Sequence, residues 1–85
     1  MSTAQRSDGC ELALARISDA GWRDGEAFMH LEGAGWVTGT PLTDQEAAHL
    51  LQAGNVEDLT QLRERAIECE FRGGKLTAWW LLRRA

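Results

Sequence analysis

The sequence predicts a small single α+β domain of order α-β-β-α-α-β, with a three-stranded antiparallel sheet packed against a helical hairpin and an N-terminal helix. Three observations point there. A capped apolar stripe from Thr43 ends at Gly54-Asn55, a second stripe runs from Val56 to Gly73-Gly74, and a glycine-centred run, Glu32-Gly33-Ala34-Gly35, divides two apolar stretches.

Met1 to Ser7 is polar and aperiodic, which predicts a disordered tail over residues 1–7 ahead of a single domain over 8–85. Asp8-Gly9-Cys10-Glu11 has the spacing of a helix cap, and Leu12, Ala13, Leu14 and Ile17 follow it, so a helix is expected from about Gly9 to Ala20. Gly21 stops it, and Trp22-Arg23-Asp24-Gly25 reads as a turn.

Residues 26–39 change character and form a hairpin. With Gly33-Ala34 at the centre of its turn, Leu31 pairs beside Trp36 and Met29 beside Thr38. One face then carries Ala27, Met29, Leu31, Trp36 and Thr38, and the other carries Phe28, His30 and Val37.

Pro41 keeps the chain extended before Thr43, whose hydroxyl and Glu46 make a capping box. The helix is expected over Asp44 to Ala53, with Ala47, Leu50 and Leu51 on its buried stripe. Asn55 caps a second helix in which Val56, Leu59, Leu62, Ala66 and Cys69 step by three and four. Glu57 and Asp58 lie in its first turn, where the helix dipole favours carboxylates. Gly73-Gly74 ends it.

For residues 75–84, strand and helix compete, because a short apolar run has no diagnostic period. The adjacent tryptophans and the preceding glycines favour a strand joining the hairpin, with Trp79 and Leu81 to one side and Trp80 and Leu82 to the other.

Composition narrows the function. With 13 acidic against 9 basic residues, the net charge of −4 works against non-specific attraction to nucleic acid or anionic lipid. No apolar run approaches the roughly 20 residues a bilayer helix needs, and the start lacks a signal-peptide layout, so a cytoplasmic protein is expected. Cys10 and Cys69 are in no metal-type spacing and read as buried thiols, and no metal or cofactor is expected. Glu46 and His49 are an acid beside an imidazole, yet no nucleophile motif accompanies them, and the glycines lack a phosphate-binding frame. An enzyme is therefore not expected.

What remains is surface. Three helices cover one face of a three-stranded sheet and leave the other showing Phe28, His30, Val37 and a C-terminal tryptophan, unless the first helix packs there. The expected function is a non-enzymatic protein-binding module, an inhibitor or adaptor that occludes a surface of a larger partner, for instance the basic groove of a nucleic-acid-handling protein. Trp36, Trp79, Trp80 and Phe28 are its anchors, and Glu57 and Asp58 its steering charges. A homodimer through the same face is the other use of such a surface. The alternative is a dimeric helix-turn-helix-like DNA-binding regulator using the hairpin 43–72 with Arg63 and Arg65 on phosphates, although Val56, Glu57 and Asp58 would present negative charge to the groove.

Overall fold

The structure, a computed structural model, describes residues 10–83. It is mostly β. Strands β1 (Cys10–Arg23), β2 (Glu26–Gly33), β3 (Trp36–Leu42), β4 (Ala66–Arg72) and β5 (Lys75–Leu81) form one curled antiparallel sheet in the order β3-β2-β1-β4-β5. One helix, α1 (Asp44–Gly54), and one 3-10 turn, Leu59–Leu62, lie between β3 and β4.

This corrects the predicted fold class. Of the N-terminal helix expected over Gly9 to Ala20, the described residues 10–20 are the first part of β1, a strand of 14 residues. The second helix of the predicted hairpin is instead an extended link, the 3-10 turn and β4, so the hairpin 43–72 does not exist and the helix-turn-helix alternative loses its element. The strand over 75–81 is present, but it pairs with β4 and not with the 26–39 hairpin. The expected tail over residues 1–7 lies outside the described residues.

β4 shows why. In Ile67-Glu68-Cys69-Glu70-Phe71-Arg72, apolar and charged residues alternate strictly; Ile67 and Cys69 are buried, with Phe71 packed beside them, while Glu68, Glu70 and Arg72 point the other way. That is a period of two, and a half-buried strand satisfies it where a helix would scatter the charges into the core. Gly73-Gly74, both at positive φ (58 and 83), form the two-residue hairpin turn to β5 and not a helix stop.

β1 is the organising strand. Its first half, Cys10–Arg16, pairs with β4, and its second half, Ala15–Arg23, pairs with β2. A register shift between Ile17 and Asp19 bends it, as a bulge does, and the Ser18 hydroxyl donates to the His30 carbonyl at the bend. Where β4 stops, the Arg65 carbonyl accepts from the Ile17 amide at 2.9 Å and the Glu64 amide donates to the Ile17 carbonyl at 2.7 Å. The open edge is thereby satisfied. Pairing with β4 along Cys10–Arg16 outweighs the helix propensity of the Leu-Ala-Leu-Ala run.

The β2–β3 hairpin is as expected, with its turn moved along by one residue. Ala34-Gly35 occupy the turn, so Gly33 pairs with Trp36 and Leu31 with Thr38, two residues off the predicted register. A shift of two preserves the faces, and Ala27, Met29, Leu31, Trp36 and Thr38 share the inner one. α1 has the predicted start: Thr43 Oγ1 accepts from the Glu46 amide at 3.0 Å and Glu46 Oε1 from the Thr43 amide at 2.9 Å. Asn55 ends it in the left-handed region at φ 56.

The core lies inside the curl. Ile17, Met29, Leu31, Leu50, Leu59, Leu62, Ile67 and Cys69 are fully buried. α1 inserts Ala47 and Leu50 against β2, β3 and β5, and Gly54 packs so closely on Leu62 that a Cβ would sit 2.6 Å from it. Three hairpin-linked strands followed by a fourth returning beside the first make a Greek key. The sheet is open, with β3 and β5 as its edges.

Candidate functional site

No described element covers the convex face of the sheet, opposite the core, and an ion cluster divides it. Arg16 donates to both oxygens of Glu64 at 2.8 Å and also pairs with Glu32, its cross-strand neighbour on β2. These carboxylates hold its guanidinium pKa above the usual value, the Glu64 hydrogen bond contributing most. The pairs are solvent-exposed, so their net contribution to stability is small.

On one side of that cluster lies an apolar patch. Leu12 and Leu14 of β1 are 59% and 66% exposed. The cross-strand rows run Leu14–Glu68–Trp80 and Leu12–Glu70–Ala78 across β1, β4 and β5, placing Trp80, 38% exposed, on the same face as the leucines. The Trp80 indole N–H donates to Glu68 at 2.9 Å, which fixes the ring beside the row. Glu70 accepts from the Cys10 thiol and from Arg72, both at 3.2 Å. Those two bonds, the thiol's first, hold its carboxyl below the usual carboxylate range. Two leucines and a tryptophan thus surround two carboxylates.

On the other side lies a small aromatic cluster. Phe28 and His30 stand 5.1 Å apart on β2, and the Arg23 guanidinium sits 4.8 Å from the Phe28 ring centre. Gly39 lies opposite His30, where a Cβ would come within 2.9 Å of the imidazole. The Phe28 ring is thus already occupied by its own chain's arginine.

The predicted anchors do not form one surface. Trp36 is on the inner face and lies against Gly33, whose missing Cβ leaves room for the indole; it meets Phe71 edge-on at 5.3 Å between centroids and 81° between planes. Trp79 is half-buried against the core. Phe28 belongs to the separate cluster on β2, and only Trp80 joins the convex patch. Glu57 and Asp58 are exposed near the 3-10 turn, but Asp58 is its cap, accepting from Thr60 at 3.2 Å, and the Glu57 amide donates to Gln61 at 2.9 Å. The sequence reading missed Leu12 and Leu14, which it placed on a helix; every residue of Leu12-Ala13-Leu14-Ala15 is apolar, so no alternation of apolar with polar marked an outer face.

Glu46 and His49 line a shallow hollow of about 540 Å³ with Thr77 and Trp79. The Glu46 carboxylate is committed to the Thr43 cap and the Thr77 hydroxyl to the Glu70 carbonyl, so the hollow presents no activated nucleophile. Among the described residues, no three His, Cys, Asp or Glu side chains gather as a metal site. Cys69 is fully buried, and burial pushes its thiol pKa up, away from reactivity. No described helix is long and apolar enough to cross a membrane.

No protein-family model, curated protein or solved structure matches this chain.

Proposed function

We propose that the chain is a non-enzymatic protein-binding module of the cytoplasm, an adaptor or inhibitor that docks a partner on the convex face of β1, β4 and β5. The observation that supports this is the exposure of Leu12 and Leu14 beside Trp80 on one sheet face. Isolated exposed leucines are ordinary, whereas adjacent ones with a tryptophan on a flat surface cost solvation and mark an interface. Tryptophan at the middle of a desolvated patch is a frequent binding hot spot.

Glu68 and Glu70 within the rows, and a net charge of −4, favour a partner that presents aliphatic side chains ringed by Lys and Arg. The surface of a basic, nucleic-acid-handling protein has that chemistry. A second copy of this chain lacks it, since the same carboxylates would face each other.

Leu14→Asp tests the proposal. The side chain is on the surface, so the thermal midpoint should move little, while capture of the partner from cells should fall at least tenfold. Undiminished capture by Leu14→Asp would remove the convex face as the docking site. A concentration-dependent rise in solution mass that Leu14→Asp abolishes would show that the face is used for self-association.

A further inference from the structure

β1 extends past its neighbour. β2 ends at Gly33, opposite Ala15, so residues 10–14 pair with β4 on one side while their other side faces the start of β3. A groove of about 580 Å³ opens there, between Glu11, Leu12 and Ala13 on one wall and Trp36 and Phe71 on the other. Its dimensions suit a side chain or a small ligand.

The groove is chemically one-sided. Glu11 is the one ionisable residue among the described residues that line it, and its carboxylate has no hydrogen-bond or ion-pair partner among them. Beside it, Trp36 is pinned by Gly33 beneath and by the edge-on Phe71, so the aromatic wall is built before any ligand arrives. An aromatic surface next to an unpaired carboxylate attracts a cation that is both flat and able to donate in a fork. Guanidinium meets both requirements; ammonium, more strongly hydrated and without a plane, meets them less well.

We infer that this groove receives an arginine side chain of a partner polypeptide, its guanidinium stacked on Trp36 and donating to Glu11. The inference deepens the protein-binding proposal, which it takes as its basis. The groove adjoins the convex patch through Leu12, so one partner segment reaches both: aliphatic side chains over Leu14 and Trp80, arginine into the mouth.

The test is an NMR titration of the full chain with acetyl-Gly-Arg-Gly-Arg-Gly-amide and with the same peptide carrying citrulline for arginine, which keeps the shape and loses the charge. Saturable shifts of the Trp36 indole N–H and of the Glu11 and Phe71 amides are expected with the arginine peptide. The citrulline peptide should bind at least fivefold more weakly, and Glu11→Gln should weaken the arginine peptide at least threefold. Glu26→Gln, which removes an exposed carboxylate that does not line the groove, should leave the titration unchanged. Equal binding of the two peptides, a silent Trp36 signal, or full affinity in Glu11→Gln would each overturn the assignment. Failure of the convex-face proposal is read separately, in the capture experiment, so the two outcomes are distinguishable.

Discussion

At the scale of single residues, the fold depends on a few places where a side chain is missing. Gly33 is the clearest, since its bare backbone is the surface on which the Trp36 indole lies. Adding a methyl group forces the ring off that surface and breaks its edge-on contact with Phe71. Gly33→Ala is therefore expected to destabilise by about 1–3 kcal/mol, the usual cost of overpacking, read as a lower midpoint in urea unfolding. Gly39→Ala, by contrast, meets only the edge of the His30 imidazole, at 2.9 Å. If Gly33→Ala unfolded with the wild-type midpoint, the indole would not be held as the structure places it. None of this was legible in the sequence, where Gly33 read as a turn residue, because the crossing of an indole over a neighbouring strand depends on register.

At the scale of elements, local chemistry was readable wherever it was self-contained. The Thr43–Glu46 capping box closes within four residues, and α1 begins where that motif says it should. Thr43→Ala should cost about 1 kcal/mol, whereas Glu46→Gln, which preserves the box, should cost less, both compared by thermal unfolding. Equal losses would show that the Glu46 charge, and not its hydrogen bond, secures the cap. The hairpin over 26–39 was legible from its glycines and its face pattern, and a turn displaced by one residue moved the register by two without exchanging the faces. β4 was legible too, but its alternation was overridden by a looser three-and-four spacing running from Val56 through Cys69. β1 is a different case. A Leu-Ala-Leu-Ala run is compatible with a helix, and only its pairing with β4 decides otherwise.

At the scale of the whole molecule, connectivity and charge point in different directions. A Greek-key sheet with aromatic side chains on the outer face of β2 could stack the bases of single-stranded nucleic acid, yet fold alone does not carry function. Here that face presents the Phe28 ring already covered by Arg23, close to Asp24 and Glu26, on a chain of net charge −4. Phosphate repulsion should dominate at this charge. Fluorescence anisotropy with a labelled oligo-dT at 150 mM salt is accordingly expected to show no saturable binding. Micromolar binding that weakens steeply with salt would instead move the functional surface from the leucine patch to β2 and β3. The candidate docking surface was legible only in part: Trp80 was named from its residue type, while Leu12 and Leu14 became surface groups only once β1 was known to be a strand.

The sequence by itself determined the features whose physics is local: the cap of α1, the two-faced hairpin and a net acidic charge. The tertiary structure alone decided which strand lies in the middle. Once β1 pairs with β4 along one half and β2 along the other, Leu12 and Leu14 must face away from the core, because alternate residues of a strand point to opposite sides. The same pairing leaves the mouth beside Glu11 open, since β1 is longer than the neighbour that would have covered it. Pairing partners far apart in sequence carry no local signature, and in this chain they set both the sheet and the surfaces it leaves exposed.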